Sequence, residues 1–252
     1  MPHLVRPSVK HNGGMQGREQ RRSLRGAVAR GDDGSLVDLL RQGPWPVHAL
    51  QLIGDGLTGA LMRRVGAGGG LARECVAGLR DRGWEGDEEL ADALDARLGA
   101  GPAPPLRPVP VDLDQLADVL EGDPSEGGGR IDLHSGEVWP QPAIDYADEA
   151  DDDDDDEEDP QRWLWVDSEG SRAGYRDLQL FIGTVEDPGA ADRLSIAIEG
   201  RGAFRRFKDL LQRWPDLEDR WYAFSEDRHR GRARAWLADQ GYLAAPRRQP
   251  DQ

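Results

Sequence analysis

The sequence predicts an α+β fold in two parts, an all-α N-terminal helical module and a small antiparallel sheet packed by C-terminal helices. Three observations predict it. Apolar residues recur at helical spacing from about 31 to 98. A stretch rich in Pro and Gly at 99–110 interrupts that periodicity. Beyond it, short alternating segments at 131–133, 138–139 and 163–166 read as strands, and helical spacing then resumes to about residue 240.

Residues 1–30 carry seven basic residues against the single acid Glu19, with no apolar period before about Leu24. They read as a disordered basic arm. The helical module spans 31–98. Ser35 precedes Leu36, Leu39 and Leu40, and Gly43 follows as a stop, which predicts one short capped helix. Ala49, Leu50, Leu52, Ile53, Leu57, Leu61 and Met62 mark a second helix, and the glycines at 66–70 break the run. A third helix carries Leu71, Cys75, Val76 and Leu79 and ends at Gly83. The fourth runs from about 87 to 98, with acids in its first turn where the helix dipole favours them. The Pro-rich segment 99–110 reads as a stiff linker between separately folding parts.

The second domain is placed at 111–243, with residues 244–252 as a disordered tail. Asp112 caps a helix bearing Leu113, Leu116, Val119 and Leu120. A hairpin turns at 134–137, and 163–166 supplies a third strand. Four helices are expected at about 171–186, 190–199, 203–213 and 216–240. Between the second and third strands lies an acidic loop, 145–159, which holds 12 acids and no base, nine of the acids consecutive from Asp151. Burying unpaired carboxylates is costly, so this segment is expected to stand in water.

The composition narrows the class of protein. Of 252 residues, 37% are apolar, 32 are Gly and 17 are Pro, so part of the chain lies outside any core. Arginine greatly outnumbers lysine and Asn12 is the only asparagine, the bias of a high-GC bacterial genome. The lone Cys75 excludes an internal disulfide and a cysteine-based zinc cage. No apolar stretch reaches the ~18 residues of a membrane span, and no apolar run follows the charged N-terminus. The expectation is a cytoplasmic protein with no membrane partner and no cofactor.

The order of segments after the linker resembles a known family. Val111-Asp112-Leu113 with a following helix, a hairpin ending Gly136-Glu137-Val138, and an acidic patch form the first half. Gly174-Tyr175 opens the second, followed by Gly200-Arg201-Gly202-Ala203-Phe204-Arg205-Arg206-Phe207-Lys208-Asp209. Trp221-Tyr222-Ala223-Phe224 and Ala235-Trp236-Leu237 close it. Together these resemble the bacterial uncharacterised protein family 0158 over about residues 111–243. Ser225 and His229 depart from the family pattern. The resemblance implies domain boundaries and no activity, so no functional residue is carried over from it.

The net charge of −16 rests largely on the acidic run, and residues 160–252 are near neutral. Within that half two basic clusters stand out, Arg201, Arg205, Arg206 and Lys208, and then Arg230, Arg232 and Arg234 beside Arg228. These seven are the candidate anion- or partner-binding residues, because guanidinium forks suit phosphate and carboxylate oxygens. Phe204, Phe207, Leu210 and Leu211 share a helical stripe that predicts core, leaving Arg205 and Arg206 outward. Trp214, Trp221, Tyr222, Phe224 and Trp236 are read as core rather than as a stacking platform. His134, Ser135 and Glu137 crowd one turn, where local hydrogen bonding accounts for them as well as acid–base chemistry does. Gly127-Gly128-Gly129-Arg130 lacks the Lys-Ser/Thr of a phosphate loop. The functional expectation is a non-enzymatic binding or regulatory protein whose basic helices take an anionic partner, protein or nucleic acid, under the influence of the acidic loop. An enzyme with an unmatched site and a structural protein–protein adaptor are the alternatives.

Overall fold

The computed structural model describes residues 13–148 and 159–246. Five helices come first: α1 (Gly13–Ala29), α2 (Asp33–Arg41), α3 (Leu50–Met62), α4 (Gly68–Arg82) and α5 (Asp87–Leu98). They close around Leu24, Leu36, Leu40, Ile53, Leu57, Leu79, Leu90 and Leu94. Helix α1 occupies much of what the charge pattern marked as a disordered arm. It folds because Leu24 and Ala27 enter that core, while Arg18 and Arg25 meet Asp219 and Glu226 far along the chain. The cap of α2 is Asp32, whose carboxylate accepts from the backbone N–H of Ser35 at 3.0 Å, so Ser35 lies inside the helix. Helix α4 starts at Gly68, within the glycine run read as a break.

The linker is partly structured. Strand β1 (Arg107–Val109) pairs in parallel with β5 (Tyr242–Ala244), an element absent from the sequence reading. Val109 is fully buried, which ties the end of the Pro-rich segment to the end of the second domain. Helix α6 (Leu113–Leu120) follows, capped by Asp112 as expected. Strands β2 (Gly129–Asp132), β3 (Val138–Pro140) and β4 (Trp163–Val166) form an antiparallel sheet in the order β3-β2-β4. Ile131, Val138 and Val166 face α6 and the core. Arg130 turns to the other face, stacked at 4.0 Å on the Trp163 ring. A further short helix, α7 (Gln141–Asp148), leads away from β3. Most of the acidic loop, 149–158, lies outside the described residues, as do 1–12 and 247–252.

The remaining helices are α8 (Arg172–Ile182), α9 (Pro188–Ala197), α10 (Ala203–Leu211) and α11 (Pro215–Asp239). With 25 residues, α11 runs about 37 Å through the molecule. Trp221 and Phe224 near its start join Phe181, Leu194 and Phe207 in a core with α8, α9 and α10. Ala233 and Leu237 near its end join the sheet core. Its third face packs on the N-terminal helices. A Cβ on Gly231 would lie 2.2 Å from the Glu85 carbonyl oxygen, and one on Gly86 would lie 2.0 Å from that of Gly231. Here two backbones touch, a closeness only glycine permits. Thus the two parts predicted to fold separately share a tightly packed interface through α11.

Candidate anion-binding surface

The family-like segment opens α10. Gly200 and Gly202 both adopt left-handed backbone, at φ +73 and +75. A Cβ is disfavoured in that region by roughly 1–2 kcal/mol. Arg206 holds the resulting turn: its guanidinium donates to the carbonyls of Ala197 at 2.9 Å, Glu199 and Arg201. Expected as a binding residue, Arg206 is instead engaged in fastening α9 to α10. Arg201 and Arg205 stand exposed around the turn, and among the described residues the side chain of Arg205 reaches only Asp209, at 3.9 Å.

A hollow of about 600 Å³ opens beside this turn, between the starts of α8 and α10. Neither helix has a side-chain cap or an acid in its first turn, so both leave amide N–H groups and partial positive charge at the hollow. Arg172 and Arg176, one turn apart on α8, also line it. Neither makes an ion pair among the described residues. The sequence reading missed them, although their i, i+4 spacing on a helix carries the signal.

The second basic cluster is spent on the fold. Arg230 is paired with Asp55 at 3.2 Å and with Asp114 at 2.5 Å. Arg232 holds Glu121, and Asp177 at 2.6 Å, while Arg228 donates to Asp177 at 2.9 Å. Arg234 is 2% exposed and donates to Gln51 at 2.8 Å and to Asp55 at 2.5 Å. Three of the seven candidate residues, Arg230, Arg232 and Arg234, are therefore neutralised internally and offer nothing to an outside anion. A run of arginine at alternate positions looks basic in sequence, but here each faces a carboxylate supplied by α3, α6 or α8.

Lys208 points elsewhere, into a cleft of about 690 Å³ bounded by α1, α6, α10 and α11. Four arginines of α1, Arg18, Arg21, Arg22 and Arg25, line its other side. Their i, i+3, i+4, i+7 spacing is a helical stripe that the reading of a disordered arm concealed. Ser225 and His229, the departures from the family pattern, lie on the cleft floor. The Ser225 hydroxyl is 3.1 Å from His229 Nε2, and Glu121 is 3.2 Å from the same nitrogen. Burial, with Arg232 beside it and despite Glu121, holds His229 below its ordinary pKa, so the imidazole is neutral at pH 7. A neutral ring has one N–H. One nitrogen cannot both donate to Glu121 and accept the serine proton, so the three residues do not form a nucleophilic relay.

The other sequence candidates serve the fold. Asp132 accepts from the backbone N–H groups of His134 at 2.8 Å and Ser135 at 3.1 Å, which makes that cluster an ordinary turn. Trp221 and Phe224 are buried and Trp214 and Trp236 partly so, leaving Tyr222 as the exposed aromatic residue of that set. Cys75 is buried, and desolvation pushes its thiol pKa up, away from the reactive thiolate. Among the described residues no group of His, Cys, Asp or Glu is placed to hold a metal ion, and no helix is long and apolar enough to cross a membrane.

Fold and surface together define an α+β protein with a helical N-terminal extension and an arginine-lined hollow at two helix starts. The chain belongs to the uncharacterised protein family UPF0158, whose model matches residues 107–250. It is 32% identical over 151 residues to a UPF0158 protein of Pseudomonas aeruginosa, covering 58% of this chain and 92% of that one. No solved structure matches the chain.

Proposed function

We propose that the protein is a non-enzymatic binding or regulatory module that takes an anionic partner on the surface formed by the starts of α8 and α10. One observation carries this reading. Arg63, Arg82, Arg228, Arg230, Arg232 and Arg234 are all paired with carboxylates, whereas Arg172, Arg176 and Arg201 have no carboxylate partner among the described residues and Arg205 has only a long, exposed contact. Unpaired arginines gathered beside two uncapped helix starts favour phosphate or carboxylate oxygens. The acidic run from Asp151 carries charge of the same sign as such a partner, so it would act as a rival for these arginines. Affinity for heparin, a polyanion probe, tests this. Removing residues 150–159 should raise the salt needed for elution, and Ala at 172, 176, 201 and 205 should lower it and flatten the salt dependence by about three counterions. Unchanged elution in the quadruple variant would place binding elsewhere.

A further inference from the structure

We propose that the cleft between α1, α6 and α10 is a separate site for a small phosphate ester of nucleotide size, its phosphate held by Arg21, Arg22 and Lys208. Arg18 is engaged by Asp219 and Arg25 by Glu226, while Asp114 and Glu121 are engaged by Arg230 and Arg232. What remains along the cleft is three cations, Arg21, Arg22 and Lys208, with no ion pair among the described residues, against one carboxylate, Asp118. The imbalance calls for a group with more than one negative charge, which a phosphate monoester supplies and a single carboxylate does not.

Arg21 gives a second, independent indication. Its Nε is buried and has no acceptor among the described residues. Buried donors in native proteins are nearly always satisfied, and Arg21 lines the cleft, so a turn of its guanidinium toward a ligand oxygen would satisfy this one. Size gives a third. At about 690 Å³ the cleft falls within the roughly 300–1,000 Å³ typical of small-molecule sites and is much too large for inorganic phosphate alone. Phe204 and the half-exposed Tyr222 line it as apolar surface for the organic part. On α6, Asp118 is placed to accept from a hydroxyl or amine of the ligand.

Isothermal titration of the full chain with ribonucleoside 5′-monophosphates, the matching nucleosides and inorganic phosphate tests the site. At least one monophosphate should bind, with its nucleoside and inorganic phosphate each about tenfold weaker or worse. Arg22→Ala and Lys208→Ala should each weaken the monophosphate by about tenfold while leaving the melting temperature unchanged, because both side chains are exposed and make no ion pair among the described residues. The variant with Ala at 172, 176, 201 and 205 should bind it normally, which separates this site from the α8–α10 surface. Absence of monophosphate binding, equal binding of the nucleoside or of inorganic phosphate, or full affinity in the Arg22 and Lys208 variants would overturn the proposal.

Discussion

The backbone N–H of Gln51 donates to Oδ1 of Asp227 across 2.9 Å, joining the first turn of α3 to the middle of α11. The other oxygen of Asp227 receives Arg82, which also grips Asp87 at 2.6 Å. The Gln51 amide in turn reaches Asp87 at 2.8 Å and accepts from Arg234. Asp227, Asp87, Gln51 and Arg234 are all buried. Polar groups in such a place are tolerated because each is partnered, and removing one strands the rest.

Asp227→Ala should therefore cost about 3 kcal/mol or more, since Arg82 loses one of two carboxylates and the Gln51 N–H loses its acceptor. Asp227→Asn keeps an acceptor and should cost less. Denaturant midpoints at pH 7 decide it, and a loss under about 1 kcal/mol for the alanine variant would mean water replaces the carboxylate.

A fragment of residues 99–252 should be much less stable than the whole chain. It would expose the α11 face bearing Asp227, Gly231 and Arg234, together with the Phe224 ring that Trp84 covers at 5.2 Å. A shallow or absent cooperative melt by circular dichroism is expected. A transition matching the full chain would show that this face tolerates solvent.

Local patterns carried much of the fold. The Asp112 cap, the hairpin, the third strand and the Phe207 stripe each follow from neighbours in sequence. What escaped depends on distant partners. Strands β1 and β5, with three residues each, exist only because they pair with one another across the whole second domain. Helix α1 needs Asp219 and Glu226 to absorb Arg18 and Arg25. The same limit applied to the site. Arg201 and Arg205 could be placed from α10 periodicity, but whether Arg230 and Arg234 were open depended on Asp55 from another helix. Sequence charge counts do not distinguish a paired cation from an available one.

His48 should make the protein acid-sensitive. It sits in left-handed backbone at φ +57, stacks on Trp84 at 5.5 Å and meets the edge of Phe224 at 5.3 Å. Burial, aided by Arg82, Arg220 and Arg21, lowers its pKa from 6.5 to about 4. The unfolded chain takes up this proton near pH 6.5 and the folded chain only near 4, so stability falls as pH drops through that window. The ring is only partly buried, so the loss should be about 1–2 kcal/mol. His48→Asn keeps a residue that tolerates the backbone angle and removes the titration. Between pH 7 and 4.5 the wild type should lose that much more stability than the variant, and parallel losses would exclude His48 as the cause.

Helix α10 makes the sharpest contrast between neighbours. Phe207 is fully buried, edge-on to Trp221 at 4.9 Å and to Phe181 at 6.2 Å. Truncating it to Ala removes an aromatic ring from the centre of the third core and should cost about 3–5 kcal/mol. Arg205 is exposed with one weak contact, so Arg205→Ala should change stability by less than about 0.5 kcal/mol. Arg206 differs from its neighbour. Its guanidinium satisfies the carbonyls left open where α9 ends, and Arg206→Ala should cost about 1–2 kcal/mol while loosening the turn that presents Arg201. Anion binding then separates the two arginines. Arg205→Ala should weaken heparin retention without touching the melt, and Arg206→Ala should lower both together. If Arg206→Ala left stability intact and reduced only retention, its carbonyl contacts would be incidental and it would rejoin the binding surface.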